Sequence, residues 1–216
     1  LEDVRRAASE LLERYPQIHV LVNNAGLHST SRTETAEGHE TVFAVNHLAS
    51  FLLTRLLLDR MKESAPARII QVNSQGHRFN GLDVDDLDWQ KRHYTGLRGY
   101  GASKTAQLLT VWDLAEQLEG SGVTINAMHP GSVHSNVGQN NGSLYRWFKK
   151  LVIDRTLSDP DISGQALYWL AADPALEGVS GRFFNLTIDE KPAPHALDRE
   201  VGRRVWQASE RLTGLG

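Results

Sequence analysis

Short apolar runs alternate along this chain with stretches of helical periodicity, and that alternation constrains the fold more than any other feature. Residues 18–22, 69–72 and 123–127 are continuous apolar or near-apolar runs of strand length, and a last one lies near 182–184. Between and around them come helical patterns. Val4, Ala7, Ala8, Leu11, Leu12 and Tyr15 recur at helical spacing before Pro16, a long helix is expected over 37–61, another over 100–118, and a last over 197–212. Ser158-Asp159-Pro160 opens one more, and Trp147-Phe148 marks a short one. Runs this apolar suit strands covered on both faces, which predicts an α/β fold: a doubly wound parallel sheet of Rossmann type with helices on both sides. No linker composition or repeat divides residues 1–216, so one domain is expected. It opens on a helix, where such a domain should open on a strand.

Bulk properties remove several function classes. A net charge of −3 gives no footprint for nucleic acid. The absence of cysteine excludes disulfides, thiolate metal sites and thiol catalysis, and fits a reducing, cytoplasmic setting. The longest apolar stretch, around Phe51 to Leu58, is interrupted by Arg55, Asp59 and Arg60, so no run of the ~20 apolar residues that a membrane span needs is expected.

Ligands of such sheets bind beyond the carboxyl ends of the strands. Three strands here end in small or glycine-containing turns: Asn23-Asn24-Ala25-Gly26, Asn73-Ser74-Gln75-Gly76 and His129-Pro130-Gly131-Ser132. Tyr100 and Lys104 are one helical turn apart and share a helix face. A free phenol has a pKa of about 10, and a neighbouring ammonium favours the phenolate, so this pairing suits proton transfer. Alone, Tyr-x-x-x-Lys arises by chance in roughly one sequence in a few.

The ordered set is far more specific. Asn23-Asn24-Ala25-Gly26, then Asn46, Ser74, Tyr100-Gly101-Ala102-Ser103-Lys104 and Pro130-Gly131 resemble, in order and position, the short-chain dehydrogenase/reductase family. Val45-Asn46-His47-Leu48, Ser64-Ala65-Pro66-Ala67-Arg68 and Val205-Trp206 look most like its retinol dehydrogenase and WW-domain oxidoreductase branch. The resemblance implies an NAD(P)-dependent oxidoreductase acting on a lipophilic alcohol, aldehyde or ketone, with NADP favoured over NAD. It makes Tyr100 the proton donor or acceptor and Ser74 the group that polarises the carbonyl. Lys104 would tune Tyr100 and bind the nicotinamide ribose, and Asn46 would hold a relay water. Asn23, Ala25 and Gly26 would line the cofactor's ribose side, and Pro130, Gly131, Val133 and Ser135 its nicotinamide. Asn73, Ala49-Ser50 and Ser132 depart from the family's usual residues. The family's glycine-rich turn, Thr-Gly-x-x-x-Gly-x-Gly, does not occur, and neither do its first strands, which implies an N-terminally incomplete domain. Residues 139–151 are the expected pocket lid.

Other chemistries fit less well. His39-Glu40 lacks the second histidine of a zincin, and Gly101-Ala102-Ser103-Lys104-Thr105 fails as a hydrolase elbow. His129 and His134 read as packing or pocket residues, Asp83 to Asp88 as solvated surface, and Leu108, Leu109 and Trp112 as core or subunit contact. The helices after Glu37 and Tyr100 carry more apolar surface than one sheet face needs, which predicts a homo-oligomer. The alternative to an enzyme is a non-catalytic Rossmann-type scaffold.

Overall fold

A computed structural model describes residues 1–131 and 160–216. Val133, Ser135, Ser132, His134, the lid at 139–151 and the short helix at 147–148 lie outside the described residues. Four parallel strands, β1 (Val20–Asn23), β2 (Ala67–Val72), β3 (Val123–His129) and β4 (Phe183–Asn185), stand side by side in chain order. A two-residue β5 (Ile188–Asp189) pairs antiparallel with β4, so the sheet is not wholly parallel as expected. The reversal follows from a tight turn at Leu186, whose φ of 55° lies in the left-handed region.

Alternate strand residues face opposite layers. Ile69, Leu21, Ile125 and Phe183 point to one side, against α1 (Glu2–Arg14), α2 (Thr41–Glu63) and α3 (Gly96–Gln117). Ile70, Val72, Met128 and Phe184 point to the other, against Ala166 and Leu170 of α4 (Pro160–Ala172). That two-sided cover is the doubly wound arrangement. It thins at β1, an outer strand among the described residues. There Val22, in register with Ile70, is 38% exposed, while Ile70 itself is buried.

Helix boundaries follow local capping. α2 begins at Thr41 rather than Glu37 because the buried Glu40 carboxylate accepts from Val42 N (3.0 Å) and Phe43 N (2.7 Å), taking up two amides that the first turn leaves open. A π-helical turn, Ala44–Leu48, interrupts α2 and carries Asn46 and His47. By length and composition Thr41–Glu63 is apolar enough to cross a membrane, with a mean hydropathy of 1.5, but most of it is buried in the fold, including Phe43, Leu48, Leu52 and Leu57. α3 starts a turn before Tyr100 because Thr95 caps it through Arg98 N. The apolar surplus of α3 is taken up within the chain: Ala106 and Leu109 pack with Val205 and Ala208 of α5 (Arg199–Thr213), and Trp112 donates to Ala196 O. Leu108, Leu109 and Trp112 are therefore core.

The polar excursion before α3 is more ordered than solvated surface. Asp86 is 6% exposed and accepts from the backbone of Gln90, Lys91 and Arg92, while the Arg92 guanidinium stacks 4.1 Å over Trp89. Removing charges from water is tolerated here because each carboxylate lone pair finds a donor.

Candidate active site

The carboxyl ends of β1, β2 and β3 share one edge, and the expected residues gather there from β2, α2 and α3. Ser74 follows β2, and its hydroxyl lies beside the Tyr100 side chain over Gly76, where it acts to lower the phenol's pKa. The same Oγ accepts from Gly76 N at 3.0 Å and so caps the 3-10 turn Gln75–Phe79. Gly76 must lack a side chain: a Cβ there would lie 2.4 Å from the Tyr100 ring. His28 meets the other side of that ring edge-on, with centroids 5.6 Å apart. The phenol is thus gripped between one hydroxyl, a bare backbone and an imidazole.

Burial pushes the Tyr100 phenol up, and the Ser74 hydroxyl opposes that. This departs from the expected lowering by Lys104, for a geometric reason. The Lys104 amine lies 5.8 Å from the Tyr100 ring centroid and donates instead to Val72 O and Gln107 Oε1, both at 3.0 Å. Lys104 is fully buried, and desolvation brings it down to about 7. An ammonium has three hydrogens, so one is left without an acceptor among the described residues.

Asn46 is buried in the π turn, where its side chain is fully engaged: Oδ1 accepts from Leu27 N (2.8 Å), and Nδ2 donates to Leu27 O (2.9 Å) and Ser103 Oγ (3.0 Å). It therefore pins the loop after β1 onto α3. Gly26 of that loop stands beside it, where a Cβ would come 3.4 Å from Asn46 Oδ1 and 3.7 Å from Lys104 Nζ. Ala25 and Gly26 are exposed. Asn23 is not brought into this group: its side chain is buried and donates to Thr54 Oγ1 (2.8 Å) and Gln71 Oε1 (3.0 Å), away from the strand end. Pro130 and Gly131 lie at the same sheet edge beyond β3, Gly131 in the left-handed region at φ 76° against Leu186. His129, at the end of β3, is held down to about 4 by burial and carries a buried Nδ1 without a hydrogen-bond partner among the described residues.

Two supporting residues escape motif reading. Asn73 donates to Lys104 O (2.9 Å) and Gln107 Oε1 (3.0 Å) and accepts from Ser74 N (2.8 Å), so it ties the two ends of the site together. Gln107 is 1% exposed. Its signal in the sequence is a lone amide between Ala106 and Leu108 on an otherwise apolar stretch, one turn beyond Lys104. Among the described residues no cluster of histidine, aspartate or glutamate is arranged to hold a metal ion.

Whether a nicotinamide nucleotide fits can be asked of these residues alone. The spare Lys104 N–H, the bare Gly26 backbone beside it and the exposed strand-end loop leave room and a donor for a ribose hydroxyl next to Tyr100. The residues present fit the ribose and nicotinamide end of such a group.

The enoyl-(acyl carrier protein) reductase family, of the short-chain dehydrogenase type, matches residues 1–186. The chain is 39% identical over 219 residues to retinol dehydrogenase 13 of Homo sapiens, covering 100% of this chain and 66% of that protein. It is 39% identical over 217 residues to retinol dehydrogenase 14 of Homo sapiens, covering 100% of this chain and 64% of that one. This chain thus spans about two thirds of the length of these relatives. A crystal structure of an uncharacterised protein from Mycobacterium Paratuberculosis superposes with a TM-score of 0.72 at 28% identity, over 98% of this chain and 71% of that one. Fold, site order and sequence agree, and the chain belongs to the short-chain dehydrogenase/reductase family, in its retinol dehydrogenase-like branch.

Proposed function

We propose that the protein interconverts a lipophilic alcohol and its carbonyl with a nicotinamide cofactor. The observation that carries this reading is that the Ser74 hydroxyl and the Tyr100 ring meet over Gly76, with the Lys104 amine one turn along the same helix face. The cofactor, when bound, gives or takes the hydride. Ser74 and Tyr100 together present two hydroxyls to one substrate oxygen, which orients it and draws off the negative charge that develops there. In reduction Tyr100 releases its proton to that oxygen, and in oxidation its phenolate removes the alcohol proton. Lys104, whose amine lies 5.8 Å from the ring centroid, would add positive charge near the phenolate once it forms, and its spare N–H would hold a ribose hydroxyl. Ala25 and Gly26 would border the ribose, and Pro130 and Gly131 the nicotinamide. The names of the relatives support retinol or a similar lipophilic alcohol as substrate. NADP is preferred in this reading.

Purified full-length protein, given retinol with NAD or NADP and a long-chain aldehyde with the reduced forms, is expected to turn over at least one pair. Folded protein inactive with both cofactors in both directions would contradict the proposal.

A further inference from the structure

We infer that Gln107 is a positioning residue of the proposed reaction, its carboxamide bridging the Lys104 amine and the Asn46 main-chain carbonyl. The inference rests on the reading of Lys104 given above and adds a residue to it. Gln107 Oε1 accepts from Lys104 Nζ and from Asn73 Nδ2, both at 3.0 Å, and Gln107 Nε2 donates to Asn46 O. The orientation of the amide is dictated by these partners, since a flipped carboxamide would face its NH2 group to an amine and another NH2. The Asn46 carbonyl also receives Ser50 Oγ at 3.1 Å. Ser50 Oγ is shared with His47 O at 3.0 Å. The connection from Lys104 to the Asn46 carbonyl thus runs through a side-chain amide. Three residues outside the family pattern or without a motif, Ser50, Asn73 and Gln107, build this bridge together.

The chemistry of an amide matters at this position. Lys104 is packed by Val72 of β2, Asn46 of α2, Gly26 of the strand-end loop, and Tyr100 and Gln107 of α3. Tyr100 is the titratable group among them, and the lowering of Lys104 comes from burial with no carboxylate to offset it. A neutral acceptor solvates the ammonium without fixing it in the charged form, which leaves the amine free to change protonation near neutral pH.

Gln107→Glu and Gln107→Leu separate this role from simple packing, because they should move Lys104 in opposite directions. The lysine ε-carbon resonances of full-length protein, with Lys104 assigned by its loss in Lys104→Arg, report its titration without any turnover. Wild type is expected to titrate at about 7, Gln107→Glu at higher pH through the new ion pair, and Gln107→Leu at lower pH through the lost acceptor. The pH profile of alcohol oxidation should move in the opposite sense to Lys104, its acid limb rising to higher pH in Gln107→Leu as the phenolate loses its support. If Gln107→Leu does not fold, the isosteric Glu variant decides alone. A Lys104 titration unmoved in Gln107→Glu, or moved the same way by both variants, overturns the role of Gln107. Absence of turnover in wild type overturns the proposed function instead and leaves the titration result standing.

Discussion

The exposed side of the site and the layer beneath it are made from different materials. Above, Ser74 and Tyr100 are partly exposed hydroxyls that meet over the bare backbone of Gly76. Beneath, Asn46, Asn73, Lys104 and Gln107 are each less than a tenth exposed, and nearly all their hydrogen bonds go to one another or to backbone. Hydroxyls can swing to meet a substrate, whereas the buried amides cannot move without breaking bonds to one another and to backbone, at about 1–3 kcal/mol for each buried polar atom left unpaired. In the proposed reaction the proton would be exchanged at the adaptable layer, and the charge that assists it would be held by the rigid one.

Substitutions in the two layers should therefore differ in kind. Lys104→Met in full-length protein is expected to lower turnover by roughly 10³-fold, the scale of a lost charge-stabilising group, and also to weaken cofactor binding, because in the proposed site its spare N–H would hold a ribose hydroxyl. Unchanged cofactor affinity, measured by calorimetry, would detach Lys104 from that role. Ser74→Ala is expected to cost roughly 10²-fold in turnover with cofactor affinity intact. A drop in kcat matched by an equal loss of cofactor affinity would place Ser74 among the binding groups instead.

The smallest expected effect lies at the edge of the rigid layer and touches stability alone. His47, next to Asn46 in the π turn, is fully buried and brought down to about 3, its Nε2 bonded to Ser209 Oγ at 2.7 Å and its Nδ1 unpartnered. Folding keeps this imidazole neutral, while in the unfolded chain it titrates near 6.5. Its contribution is fully present above pH 6.5 and is lost as the pH falls toward 3, at about 1.4 kcal/mol per unit. Urea unfolding from pH 7 to 5 should fall more steeply for wild type than for His47→Phe, whose ring suits the aromatic pocket of Phe43 and Phe51. Parallel curves would contradict the buried neutral state.

The same division explains what the sequence disclosed. Strands, strand-end turns and the Tyr100–Lys104 pair repeat a local pattern, so periodicity and spacing place them. The engagement of Asn23 with Thr54 and Gln71, and of Gln107 with Asn46, joins residues 31, 48 and 61 positions apart. No local spacing carries that information, since it arises only when β1, α2 and α3 are packed. Nor does an aspartate-rich run announce that Asp86 is buried among backbone amides, or that Lys104 turns to Val72 rather than to the phenol. Both depend on where other chain segments leave acceptors and donors unfilled.

Tyr100→Phe tests the central claim most directly, because it removes one oxygen and leaves the ring between Gly76 and His28. Turnover and cofactor binding would be measured together on full-length wild type and variant. A loss of at least ~10²-fold in turnover with cofactor affinity unchanged is the expected result. Turnover within about tenfold of wild type, under about 1.4 kcal/mol of barrier, would mean that the proton passes through another group and that the site has been assigned to the wrong residue.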